Sequence, residues 1–305
     1  MKIKGLVVVF WVLALTVGMV ATAAAGTLED IVQRGELRVA VQSGAAPYAF
    51  VDKNGKHAGS MVDFAQEMAN RMDVKLKILD FDWDGLIPAL LSGKADILAA
   101  DMTPTLKRAL KITFCDPWYY VQACVFTKTG ASYQVPEDVN KPGITVGVLL
   151  GSTGETLAKK FLPNAEIKTY KGSGRMIIQA LLAGHVDAGV NDDLAVLTAL
   201  PDFPPNSVRL LDQRLGTGKD PLAFAVRHES MNLWQWVNLF FNTIHRDGTY
   251  DKNIKYWMKF SMQCDRYPSM KRNFPSTWLV FQWAVILPCG SCGNALKAQL
   301  TIWPT

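Results

Sequence analysis

The chain is poor in the side chains that carry most enzyme chemistry. It holds four histidines, at positions 57, 185, 228 and 245, and none stands at nucleophile or metal-ligand spacing from a partner. No GxSxG, HExxH, GxxxxGK[ST] or GxGxxG run occurs, so hydrolase, metalloprotease and nucleotide-binding readings have no motif to rest on. The formal charge of +5 is too mild to argue for nucleic acid, and no basic run with interleaved aromatics appears. Neither a metal nor a cofactor is expected.

A long hydrophobic run is also missing. The most apolar stretch covers residues 6–20, short of the ~20 residues a membrane span needs. Lys2 and Lys4 precede it and Ala23, Ala24 and Ala25 follow, the pattern of a secretory signal peptide over residues 1–25, cleaved after Ala25. The mature chain is therefore expected to begin at Gly26 and to be exported. An uncleaved anchor is the competing reading, and its length argues against it. Five cysteines leave at least one unpaired. Cys115 and Cys124 are within reach of a bridge in sequence. Cys289 and Cys292 have CxxC spacing, but the tail holds no histidine to complete a zinc set and no strand–helix context for a redox site.

What the chain does have is alternation of strands and helices. Strands are predicted at residues 37–41, 75–79, 96–100, 121–127, 144–149, 185–190 and 221–227. Helices are predicted at 61–72, 84–91, 175–182 and 231–245, with another running from the glycine loop at 151–154 to Leu162. This order argues for α/β architecture with largely parallel pairing. Residues 89–101 read ALLSGKADILAAD and residues 180–192 read ALLAGHVDAGVND, six identities in thirteen positions. Each is a helix, a glycine cap, a strand and an aspartate at the strand's end. Each follows a strand that breaks into a glycine loop, VAVQSG at 39–44 and VGVLLGS at 146–152. The chain reads as two related lobes. In open α/β sheets ligands lie beyond the carboxyl ends of strands, which places Asp101 and Asp192 at facing half-sites of one cleft.

Candidate site residues follow from that placement. Thr103-Pro104 reads as the N-cap and first position of a helix, a role compatible with ligand binding. Arg108, near the start of that helix, is poorly placed for the macrodipole unless an anion sits there, and its planar fork suits a carboxylate. Ser152 and Thr153 open a helix whose free N–H groups favour an anion, although Ser152 and Glu155 also spell a capping box. Asp101 and Asp192 suit an ammonium or a buried cap. Asp193 reads as a solvated neighbour or cap. Trp83 and Tyr48 are either core aromatics or ring faces lining the cleft.

In order along the chain, GELRVAV, DWDGLIPALLSGKADILAADMTPTLKR, ITFCDPWYY, VGVLLGSTGE, ALLAGHVDAGVND and RDGTYDKNIKYW resemble the family 3 extracellular solute-binding proteins, the periplasmic amino-acid-binding components of ABC importers. The resemblance covers about residues 28–258. It implies the two-lobe type II periplasmic-binding-protein fold, with two hinge strands near residues 121–127 and 220–226 and a central ligand cleft. Lobe 1 would comprise 26–122 with 225–260 and lobe 2 residues 123–224; residues 261–305 form a tail the family lacks. The resemblance gives Arg108, helped by Thr103, the ligand carboxylate, with Ser152 and Thr153 as its second-lobe clamp. It gives Asp192 the α-ammonium and Trp83 the side-chain pocket. Three positions depart. Asp101 stands where the family supplies a small residue. The ligand-stacking aromatic expected near Ala45 is missing, with Tyr48 a substitute. Gln42 stands where some cation-binding members have an acid.

The function implied is periplasmic capture of an amino acid or related compound and delivery to membrane permease subunits, by a monomer that performs no chemistry. The alternatives are an enzyme on the same fold, such as a cyclohexadienyl-type dehydratase using Asp101 or Asp192 as general acid, and a ligand-sensing domain.

Overall fold

The computed structural model describes residues 28–216 and 218–261. The signal peptide expected over residues 1–25, residues 262–305 of the tail, and with them Cys264, Cys289 and Cys292, lie outside the described residues. The first part of the chain forms α1 (Leu28–Arg34), β1 (Glu36–Val41), β2 (Gly44–Ala45), β3 (Ala49–Val51), β4 (His57–Ala58), α2 (Ser60–Arg71), β5 (Lys75–Asp80), α3 (Leu86–Leu91), β6 (Ile97–Leu98), α4 (Leu106–Ala109), β7 (Thr113–Phe114) and β8 (Tyr119–Val121). The middle forms β9 (Ala123–Lys128), α5 (Pro136–Val139), β10 (Thr145–Leu149), α6 (Thr153–Phe161), β11 (Glu166–Tyr170), α7 (Gly174–Ala183), β12 (Ala188–Asp192), α8 (Asp193–Ala199) and β13 (Val208–Arg214). The chain returns through β14 (Asp220–Leu222) and β15 (Ala225–Val226) to α9 (Met231–Arg246) and α10 (Thr249–Ser261).

Two five-stranded sheets result, ordered β5-β1-β6-β15-β7 and β11-β10-β12-β9-β13. In each, a central strand pairs in parallel with two neighbours, β1 with β5 and β6, β10 with β11 and β12. Strands joined to the crossings between lobes, β15 and β9, then add antiparallel. The expectation of largely parallel pairing therefore holds for three strands of each sheet and fails where the chain crosses from one sheet to the other.

The sequence echo is an echo of structure. Asp96 accepts from the backbone N–H of Arg38 at 2.9 Å, at the start of β1. Asp187 accepts from the N–H of Thr145 at 2.8 Å, at the start of β10. Each ties the approach to the third strand of its sheet to the central strand. Asp96 is fully buried and also takes ion pairs from Arg34 (2.5 Å) and Arg38 (2.8 Å), so its charge is paired and hydrogen-bonded as burial requires. The glycine cap is present too: Gly184 ends α7 in the left-handed region at φ 80°.

Helix faces follow the spacing of apolar residues. On α2, Met61, Phe64, Ala65, Met68 and Ala69 are buried, and on α9 Leu233, Val237, Phe240, Phe241 and Ile244, each set on one stripe of a 3.6-residue period. Both pack into one cluster over the first sheet with Trp118 and Phe224. Several boundaries differ from the sequence expectations, and the strand expected at 96–100 is only Ile97–Leu98. The helix expected from residue 84 begins as a 3-10 turn at Trp83–Gly85, because Pro88 has no N–H to offer the carbonyl four residues back. The strand expected at 121–127 breaks at Gln122, whose N–H is taken by Asp193 at 3.1 Å. The strand expected at 185–190 starts at Ala188, because the His185 N–H still closes α7 onto Ala180 at 2.9 Å. The strand expected at 221–227 is split into β14 and β15.

The chain crosses between sheets twice. β8 leads directly into β9, and β14 returns antiparallel to β8 with Asp220 opposite Val121 and Leu222 opposite Tyr119. Cys115 and Cys124, on opposite sides of the first crossing, are buried free thiols in different apolar clusters, so the bridge left open by their spacing is not formed.

Candidate functional site

The facing strand ends enclose a partly open cavity, whose empty space, open solvent included, is about 500 Å³. From the first lobe come Gln42, Gly44, Ala45, Trp83 and Asp101; from the second come Leu149, Ser152, Thr153, Gly174, Arg175, Asn191 and Asp192, with Ala195 and Ala199 of α8. Five of the eight residues singled out from the sequence therefore lie on one wall or the other: Trp83, Asp101, Ser152, Thr153 and Asp192.

Polar contacts close the two sides on each other. The backbone N–H of Trp83 (3.3 Å) and the side-chain amide of Gln42 (2.7 Å) both donate to the Gly172 carbonyl. Arg175 Nε donates to Gly44 O at 3.2 Å, the Thr198 hydroxyl donates to Ala46 O, and Arg108 donates to Gly151 O at 3.0 Å. At Gly44 an added Cβ would stand 2.8 Å from Ser173 Cβ, so a residue without a side chain is what lets the walls meet.

Arg108 is buried. Its guanidinium donates to the Thr103 carbonyl at 2.6 Å as well as to Gly151, and lies 5.3 Å from the Trp83 ring centroid. It stands beside the cavity without being one of its lining residues. Its helix is α4, capped by Thr105, whose hydroxyl accepts from the Arg108 N–H at 3.2 Å. This corrects the expectation that Thr103 is the N-cap. The helix begins at Leu106, and Thr105, extended at φ −131° and ψ 153°, takes the role. The Thr103 hydroxyl is left buried with no hydrogen-bond partner.

Ser152 does cap α6, accepting from Glu155 N at 3.1 Å, while the Glu155 carboxylate takes the Gly151 N–H at 2.6 Å. Tyr48 departs from its expected place. It is fully buried, with its ring edge-on to Trp118 at 5.8 Å, and it does not line the cavity, where Ala45 stands in its stead. The reason is the tight link from β2 to β3, which turns its side chain into the core of the first lobe. Asp193 also departs from a solvated role: it accepts from Gln122 and Leu194 N–H groups and lies 3.5 Å from Arg214 Nε.

The two cleft carboxylates dominate the electrostatics. Burial pushes the Asp101 carboxyl up to about 6 against the pull of Arg108, and its Oδ1 has no hydrogen-bond partner. Burial raises Asp192 well above the carboxylate range, and the charges of Asp101, Asp193 and Asp220 add to that. The sequence reading did not single out Arg175 or Asn191. Arg175 pairs with Asp202, and Asn191 lies close enough to Gly174 that a Cβ there would fall 2.3 Å from its amide nitrogen. The second repeat of the ALLxGxxD pattern pointed to Asn191, which directly precedes the aspartate ending that strand.

This geometry can hold a small polar molecule between two half-sites. The chain matches the model of the bacterial extracellular solute-binding proteins, family 3, over residues 37–260. It belongs to that family. This solute-binding protein is 28% identical over 239 residues to the lysine/arginine/ornithine-binding periplasmic protein of Escherichia coli (strain K12), spanning 75% of this chain and 90% of that one. Among solved structures it is similar to an ancestral amino acid-binding protein described as a precursor of cyclohexadienyl dehydratase, at 36% identity and TM-score 0.68, covering 76% of this chain and 99% of that one. It is also similar to a binding component of an ABC transporter from Wolinella succinogenes DSM 1740 complexed with lysine, at 33% identity and TM-score 0.67, covering 73% and 96%. The fold of this solute-binding protein is the two-lobe type II architecture expected from its sequence.

Proposed function

We propose that this solute-binding protein captures an amino acid or a close amino-carboxylate analogue in the periplasm, closes on it, and presents it to the permease subunits of an ABC importer. The observation that carries the reading is the convergence of Asp101 and Asp192, from matching strand ends of two lobes, on one cavity beside the buried Arg108. Asp192 takes the ligand ammonium. Arg108, Thr103, Ser152 and Thr153 hold its carboxylate, and Trp83 borders its side chain. Closure brings the half-sites together, as the cross-lobe hydrogen bonds already do. The lobes are 26–122 with 225–260, and 123–224. The protein acts as a monomer after removal of residues 1–25, and binding rather than turnover is its role.

A thermal-shift screen across amino acids, opines, polyamines and small carboxylates tests the class, because a ligand bound only by the folded state raises its apparent stability. Calorimetry on Arg108→Ala then tests the site: binding is lost while the unfolding transition is retained. Wild-type affinity in that variant would remove Arg108 from the site. Turnover of a prephenate-like acid would favour the enzyme reading and overturn this one.

A further inference from the structure

The cavity presents more negative charge than one amino group can satisfy. Asp101 and Asp192 both line it. Asp101 Oδ1 is buried without a hydrogen-bond partner. Asp192 is 9% exposed, and no N–H or O–H of the described residues donates to its carboxylate. No arginine or lysine of the described residues forms an ion pair with either. Of the cations nearest at hand, Arg108 donates to the neutral carbonyls of Thr103 and Gly151 and keeps its charge for the ligand carboxylate, and Arg175 is paired with Asp202. Gln42, the remaining long polar side chain on the first-lobe wall, is neutral and spends its amide on Gly172.

Two buried carboxylates within each other's field cannot both stay charged unless positive charge is supplied. An amino acid with one ammonium group satisfies Asp192 and leaves Asp101 either protonated or unpaired. A ligand with a second cationic group satisfies both. We propose that Asp101 is a second cation-binding carboxylate, which makes the cleft selective for ligands bearing two cationic groups, such as diamino or guanidino acids, over otherwise equal zwitterions. The proposal rests on the amino-acid reading above and adds to it the residue that sets specificity. The charged groups that bear on Asp101 are Asp192 and Arg108. Asp193 and Asp220 act on Asp192 from α8 and β14, and their negative sign reinforces the demand for a cation.

The test is calorimetry at pH 7.5 on the full chain, dialysed free of bound solute, with matched pairs of probes. Ornithine, 2,4-diaminobutyrate and lysine are compared with norvaline, arginine with citrulline, and putrescine serves as a dication without a carboxylate. The better member of at least one pair should bind about 100-fold more tightly than its uncharged counterpart, the scale expected when a buried charge loses its partner. Asp101→Asn, shown to be folded by its thermal transition, should shrink that preference below about 10-fold. Equal affinity within every pair, or a preference that survives Asp101→Asn, overturns the proposal. Equal affinity would still leave the amino-acid reading standing. Binding of putrescine without any amino acid would overturn the amino-acid reading and support the two-cation proposal. Failure of all seven probes in both proteins overturns both.

Discussion

In the absence of ligand, Asp101 should weaken the very fold that holds it. Its carboxyl is kept at about 6 against an ordinary 3.8. At 1.36 kcal/mol per tenfold change in proton affinity, ionising it at neutral pH costs the folded state on the order of 3 kcal/mol. The sign is that of a raised carboxyl: the associated stability is fully present below about pH 3.8 and is lost as pH rises through about 6. Asp101→Asn removes the charge with little change of shape, so the ligand-free variant should be more stable than wild type at pH 7.5. The gain corresponds to roughly 6–12 °C in Tm for a chain of this size. It should shrink below pH 6 and vanish near pH 4, where the wild-type side chain is neutral as well. Differential scanning calorimetry of both proteins from pH 4 to 8 measures this. A variant whose Tm equals or falls below wild type at pH 7.5, or a gain that does not change with pH, would refute the reasoning, because a purely steric effect has no such profile.

Three further outcomes concern the frame around the cleft. Asp96→Ala strands the Arg34 and Arg38 guanidinium groups and the Arg38 N–H at a fully buried position, so urea unfolding should show a loss of about 3–5 kcal/mol. The corresponding Asp187→Ala removes a single hydrogen bond at an exposed site and should lose only about 1 kcal/mol; equal losses would contradict the assignment of Asp96 as the buried ion hub. Gly59→Ala places a Cβ 2.3 Å from the Tyr48 carbonyl oxygen at φ 127°, and should lower soluble yield and reduce stability by more than about 2 kcal/mol. A Gly59→Ala protein with wild-type urea midpoint would mean that the backbone there relaxes freely.

The parts of the fold that were legible in the sequence are those governed by local rules. The apolar stripes of α2 and α9, the glycine that ends α7 and the cap of α6 by Ser152 each depend on residues within a turn or two of one another. The repeated ALLxGxxD pattern carried further, because two copies of one supersecondary unit must put their final aspartates at equivalent strand ends. It also holds a structural signal: its first aspartate, at 96 and 187, binds the strand that β5 and β6, or β11 and β12, flank in each sheet. Other features depended on partners distant in the chain. The interruption at Gln122 is made by Asp193, seventy-one positions away. Both threonines flanking Pro104 fit the extended conformation of an N-cap, so local rules did not separate Thr103 from Thr105, the cap of α4. Tyr48 and Ala45 are close in sequence, and only the path of the β2–β3 link decides which of them meets the cavity. Arg175 could not be singled out because its role depends on Gly44, on the other lobe.

The pairing of β14 with β8 bears on how the lobes can move. Two separate tethers would let one lobe slide, twist and tilt against the other. Two tethers hydrogen-bonded into a single ribbon, Asp220 to Val121 and Leu222 to Tyr119, resist sliding along each other, because slippage by one residue would break the ladder and flip its side chains. Bending across the ribbon remains the softest motion. The lobes are thereby restricted to something close to a single angular coordinate, and each swing returns the Asp101 and Asp192 walls to the same alignment.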